Sequence, residues 1–363
     1  MKHMDKVLVL GLCILGHCAP QYIEDIDFAY QEILDNHPGV YNERDPLFNQ
    51  SLDASYASAK DKLQRVTTSD EAENILEEFI DSFDDAHLRV SWHHKQGRCR
   101  SNNHAQRLEL TSIAKDTVWI TLPTFVLSKD QREQFRTLIE KAEQLPPQRH
   151  IIFDIRGNGG GNSLLGEEIM QVFFGKKHAV QKLCHERKKG HIAWRASQGN
   201  VNHILDAYKG LLATFNLDSL QLKNLEEIKS GLENSLANGE EYYIEYPTQV
   251  CEEKLIVNTS QDTKFTVITD SANGSSALIF IDELKLMTQN IVLLGKETSA
   301  DTLYTEIRHI PLPSGSGSLV IPIKVRSYRK RLSNETYVPD IAYDDIQNTE
   351  SLKVFVLEAT QDM

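Results

Sequence analysis

Three short stretches of this sequence combine residue types that can do chemistry together. The first is Asp270-Ser271-Ala272-Asn273-Gly274-Ser275-Ser276-Ala277, between an apolar run and an amphipathic one. A serine that opens a helix meets unpaired N–H groups and the positive end of the helix dipole. That setting suits an alkoxide nucleophile and the oxyanion it creates. It also suits a serine that merely caps the helix, so the stretch alone has two readings. The second is Asp84-Asp85-Ala86-His87-Leu88-Arg89-Val90, in which His87 ends a helical run. A histidine is the natural general base for a serine near neutral pH, although histidines at helix ends more often just answer the dipole. The third is Arg156-Gly157-Asn158-Gly159-Gly160-Gly161-Asn162, directly after an apolar strand pattern. Glycines there let backbone amides approach a ligand, either a phosphate or an oxyanion. The dinucleotide fingerprint is absent, because Asn162 stands where its last glycine belongs, and no Walker lysine follows.

The elements that must position these residues are readable from periodicity. Apolar residues at Ile23, Ile26, Ala29, Tyr30, Ile33 and Leu34 have helical spacing, stopped by Pro38-Gly39. Phe48 to Val66 and Ser69 to Phe83 read as two further helices, so residues 20–87 form an N-terminal helical unit. Strands are expected at 107–111, 117–122, 150–155, 265–269 and 290–294, with helices at 129–145, 163–174 and 276–287. Residues 303–310 and 318–325 read as a β-pair, and 349–359 as a closing helix. Strand, glycine loop, helix is α/β organisation, so residues 88–363 are expected to form a mixed β-sheet core flanked by helices. A mostly helical insertion at about 176–255 interrupts that core and is expected to cover the site as a lid or groove.

The chain has 363 residues, 25% of them charged, with a net charge of -13. That balance argues against nucleic acid as the partner, since phosphates attract a basic surface. Residues 1–19 carry a basic start, an apolar run from Val7 to Gly16 and small residues behind it, which resembles a secretory signal peptide. The run is too short to span a bilayer, so an exported protein without a stable membrane span is expected. Cys99, Cys184 and Cys251 would remain after cleavage, an odd number without metal-ligand spacing. Cys184 and Cys251 flank the insertion and could pair. No metal and no cofactor is called for.

In family order, Asp84-Asp85-Ala86-His87, Phe153 to Asn162, Asn273-Gly274-Ser275-Ser276-Ala277, Leu294-Gly295-Lys296-Glu297-Thr298 and Val338-Pro339-Asp340-Ile341 resemble the motifs of the tail-specific, or C-terminal-processing, serine peptidases. The resemblance runs from about residue 20 to 357 and implies the fold of that family, a polypeptide substrate and acyl transfer. Three departures accompany it. Only about twenty residues separate Arg89 from the strand near Leu110, below the ~50-residue floor for a domain, so the PDZ module of classical members is missing. The place of their catalytic lysine falls at or beside Asp301. Leu278 stands where an acid is common. The match is therefore to the tricorn-core-like branch, which uses a histidine and a late glutamate. His87 and Glu335 fall in those roles.

Register through the helix selects Ser275 as nucleophile; counting back from Gly295 selects Ser276. Helix register is the firmer guide, because loops absorb insertions. On this reading His87 is the general base, Glu335 orients it, and N–H groups of Ser276 and of Gly159 or Gly160 hold the oxyanion. Asp301 and Lys324 are possible substrate or support residues, each otherwise a solvated side chain. The alternative function is an inactive ligand-binding protein on the same fold, like the retinoid-binding repeats, with an apolar pocket and no Ser275–His87 contact.

Overall fold

The computed structural model describes residues 19–95, 107–214, 219–247, 251, 262–300, 303–329 and 335–359. Residues 1–18 of the leader proposed from the sequence, Cys99 and Asp301 lie outside them. Three helices come first: α1 (Ala19–Asn36), α2 (Phe48–Leu63) and α3 (Ser69–Asp81). Residues three and four apart turn Ile26, Ala29 and Ile33 of α1 inward against Leu52 of α2 and Leu76 and Ile80 of α3. Helix α3 starts at Ser69 as its pattern suggested, with Thr68 as N-cap in a capping box, and ends two residues earlier than expected, at Asp81. Thr68 Oγ1 accepts the Glu71 N–H and the Glu71 carboxylate accepts that of Thr68.

The chain continues through β1 (Arg89–Trp92), β2 (Glu109–Ala114), β3 (Thr117–Thr121), α4 (Lys129–Glu143), β4 (His150–Asp154) and α5 (Leu164–Phe174). Next come α6 (Lys176–Arg187), β5 (Ile192–Arg195), α7 (Gln198–Thr214), α8 (Ser219–Ala237) and β6 (Tyr242–Glu245). The last stretch holds β7 (Lys264–Thr269), α9 (Ser276–Met287), β8 (Ile291–Gly295), β9 (Tyr304–Pro311), β10 (Gly317–Arg326), β11 (Ile341–Ala342) and α10 (Thr349–Ala359).

These strands make the expected mixed α/β core, divided into two sheets. One runs β11-β8-β7-β4-β3-β2, parallel except for β2. Every residue of β4 and β7 is buried, as befits central strands covered on both faces. Alternation sends Val118, Ile151, Phe153 and Val267 toward α4, α5 and α9, and Trp119, Ile152 and Ile268 toward Leu352 and Val356 of α10.

The other sheet is antiparallel and centred on β10. One edge of β10 pairs with β9; the other takes β1 at its start and β5 at its end. Pro322 sits between those two partners on that edge and opposite Ile307 on the β9 edge. Leu319 and Ile321 of β10 also join the core of the three opening helices, which ties the helical unit to this sheet. The insertion is likewise stitched in. Its β5 and β6 extend the β10 sheet, so it is part of the scaffold and not only a cover.

Candidate active site

Strands β4 and β7 are parallel neighbours in register, Asp154 beside Ile268, so the loops after them emerge side by side. In open α/β sheets this carboxyl end is where ligands bind. The two loops lock onto one another. The Asp270 carboxylate accepts the Gly157 N–H at 3.0 and 2.9 Å. Burial pushes the Asp270 carboxyl up, and that N–H holds it back down. Gly274 N–H donates to Asn158 O, and Ser276 Oγ donates to Gly161 O at 2.6 Å. Asn158 is fully buried; it donates to Leu122 O and accepts the Gly160 N–H at 2.9 Å. Gly160 has φ +99°, and a Cβ there would lie 2.8 Å from both Ser275 Cβ and Ser276 N. Only glycine fits so close to the serine.

The two candidate serines have different surroundings. Ser275 adopts φ 51°, ψ -120°, a backbone that costs a non-glycine residue roughly 1–3 kcal/mol. It heads α9, yet its side chain makes no capping bond. Its Oγ lies instead 3.1 Å from His87 Nε2, across 188 residues of sequence. The Ser276 hydroxyl is committed to Gly161 O. Among the described residues no hydrogen bond uses the N–H of Ser276 or of Gly159. The Gly160 N–H, expected as an alternative donor, is taken by Asn158, so Gly160 contributes close approach and not a hydrogen bond.

His87 lies in the turn between α3 and β1. Its Nδ1 is 2.7 Å from Tyr304 O. A carbonyl only accepts, so Nδ1 carries the proton and Nε2 presents its lone pair to Ser275. Burial pushes the His87 pKa below its usual value; Asp85 opposes this, while Arg89 and Arg329 add to it. The ring is therefore neutral at pH 7 and able to accept a proton. The Tyr304 that holds it is itself fixed: its hydroxyl donates to Asp45 at 2.8 Å and accepts from Asn42 at 3.0 Å.

Two expected roles change. Glu335 is exposed, and among the described residues no hydrogen bond or ion pair joins it to His87; the Tyr304 carbonyl occupies the nitrogen it was to orient. Lys324 is not a solvated strand lysine but buried, 3.0 Å from Glu306 and 4.2 Å over the Trp194 ring, which satisfies its charge. Arg195, in the inserted segment, is buried against the Tyr41 ring and Glu241. Ser275 and His87 are in contact, the opposite of what the ligand-binding alternative requires.

Sequence reasoning missed Tyr304, Asn158 as a loop brace, and the buried partner of Asp85, His37. None had a motif to mark it. Cys184 and Cys251 are joined as a disulfide. Among the described residues no group of side chains could hold a metal ion, and no helix is long and apolar enough to cross a membrane.

No curated protein matches the chain. Solved structures do. That of mature CPAF complexed with lactacystin is similar over 94% of this chain and 99% of that one, at 12% identity and TM-score 0.56. Mature CPAF alone covers 94% and 98%, at 11% identity and TM-score 0.54. A putative peptidase from Parabacteroides merdae covers 94% and 98%, at 14% identity and TM-score 0.48. At these identities the CPAF likeness speaks for the fold alone. The sequence model of peptidase family S41 matches residues 116–343, a span that takes in the glycine loop, the serine at the head of α9 and the late valine-proline-aspartate. On that match over more than half its length, the chain belongs to peptidase family S41, a family of serine peptidases.

Proposed function

We propose that the protein is an exported serine peptidase that cleaves polypeptides through an acyl-enzyme on Ser275. The observation that carries this reading is the contact of His87 Nε2 with Ser275 Oγ at 3.1 Å, with Nδ1 held on a backbone carbonyl. As Ser275 Oγ bonds to the scissile carbonyl carbon, its proton passes to His87 Nε2. The carbonyl π-electrons move onto oxygen, where the N–H groups of Ser276 and Gly159 receive them. Collapse breaks the C–N bond, and the leaving amine takes the proton from His87. Water then attacks the ester, gives its proton to His87, and the returning proton regenerates Ser275 as the carboxylate product leaves. Neither a lysine nor a metal enters these steps. The positive φ of Ser275 supports the assignment, since it spends backbone strain on presenting a hydroxyl that caps nothing.

The Cys184–Cys251 disulfide supports export, because such bonds persist in oxidising compartments. N-terminal sequencing of protein recovered outside the cytoplasm tests that part: a chain that still begins at Met1 there would count against a cleaved leader. The site is tested by fluorophosphonate labelling read by peptide mass spectrometry. The expected result is one adduct, on Ser275, lost in Ser275→Ala and His87→Ala and retained in Ser276→Ala. An adduct on Ser276, or labelling that survives His87→Ala, would overturn the assignment.

A further inference from the structure

Behind the turn that carries His87 lies a buried pair that the mechanism above does not use. His37 is completely buried and Asp85 is 6% exposed. Asp85 Oδ2 lies 3.1 Å from His37 Nε2, and Oδ1 accepts the backbone N–H of His87 at 2.9 Å. The tautomer of His37 follows from its other nitrogen. Gly39 N–H donates to His37 Nδ1 at 2.9 Å, so Nδ1 holds the lone pair and Nε2–H donates to Asp85. The same ring stacks on Phe48 and meets the Tyr304 ring edge-on at 4.6 Å. Tyr304 is the residue whose carbonyl receives His87 Nδ1–H. Both handles on His87, its backbone N–H and its ring, thus lead back to one packed cluster.

From this geometry we infer that Asp85, held by neutral His37, is a positioning residue that supplies the negative charge stabilising the His87 imidazolium. The inference rests on the Ser275–His87 reading. A carbonyl dipole fixes the tautomer but carries no net charge to answer the cation that forms when Ser275 gives up its proton. Of the charged groups acting on His87, Arg89 and Arg329 oppose that cation and Asp85 favours it. A lysine or arginine in place of His37 would cancel the carboxylate. A neutral Nε2–H donor satisfies one oxygen without adding a second cation to Arg89, which Asp85 also attracts.

The test is the second-order rate of fluorophosphonate labelling between pH 4 and 9. In Asp85→Asn the acid-side inflection is expected to fall by about one unit and the plateau rate by about 10- to 100-fold, while Glu335→Gln changes neither. A purely structural role would slow labelling or lower the melting temperature but leave the inflection in place, and that outcome overturns the inference. An inflection that moves in Glu335→Gln and not in Asp85→Asn does the same. Asp85→Asn sets an amide against the His37 N–H and can unfold the chain. The double variant His37→Gln with Asp85→Asn replaces the pair by two neutral amides and carries the same reading. His87→Ala is run alongside: wild-type labelling there would sink the Ser275–His87 reading itself, whereas its loss with an unmoved Asp85→Asn inflection sinks only this inference.

Discussion

At the scale of single residues, the site depends on close approach and on one proton. The approach is at Gly160. Gly160→Ala places a methyl 2.8 Å from Ser275 Cβ and Ser276 N at a φ that L-residues avoid. Labelling of Ser275 is expected to fall by about 100-fold or more, with the far-ultraviolet circular dichroism unchanged. The proton is that of His87. Only the neutral ring can accept from Ser275, and burial lowers its pKa, so the neutral form survives below the ordinary histidine value of 6.5. The acid limb of the labelling rate should therefore bend below pH 6.5; a midpoint above it would contradict the buried-base geometry. The residue types were legible: a serine opening a helix, a histidine ending one, glycines after a strand. Between Ser275 and Ser276, helix register favoured Ser275 while the count back from Gly295 gave Ser276. Both occupy the same turn, and only the fold shows one hydroxyl committed to Gly161 O and the other facing His87.

At the scale of elements, long periodic segments announced themselves and short ones did not. The bounds of α9 and α10 agree with their sequence patterns, because their 12 and 11 residues suffice to display helical spacing. The strands β1, β5, β6 and β11 have four residues or fewer and went unseen, because period two cannot be recognised over so short a run. That is why the two strands of the mostly helical insertion were not expected. The start of α3 at Ser69 agrees with its pattern, and its cap is Thr68, because Glu71 returns the bond to the Thr68 N–H. Thr68→Ala is expected to cost about 1 kcal/mol in urea unfolding and to leave the labelling rate of Ser275 unchanged. A slower rate would mean that the end of α3 reaches His87 more directly than its distance along the helix suggests.

At the scale of the whole molecule, two features set how stability responds to conditions. His150 opens β4, buried against Thr266 Oγ1 at 2.8 Å, and burial with help from Lys264 pushes its pKa down to about 4. The unfolded chain takes up that proton below pH 6.5 and the folded chain only near 4. Stability is thus full above 6.5 and falls by up to roughly 3 kcal/mol as pH drops toward 4. His150→Gln should flatten that part of the stability curve, read by denaturant titration at pH 7 and 5. The second feature is the disulfide, which joins residues 67 apart and closes the loop that contains α7 and α8. Its reduction is expected to cost about 2–4 kcal/mol, measured by thermal unfolding with and without dithiothreitol. Unchanged melting would show that β5 and β6 hold the insertion without it.

The sequence by itself determined the fold class, the order of the long elements and the three stretches that could react. Each of these is written in local pattern: apolar period, turn residues, a helix start. Only the tertiary structure decided which serine faces the base, which glycine N–H is already spent, and what orients His87. The last is a backbone carbonyl 217 residues away. Every residue has such a carbonyl, so no side-chain pattern can mark the one that matters; the antiparallel sheet around β10 brings Tyr304 to its place, and burial among Asn42, Asp45 and His37 keeps it there.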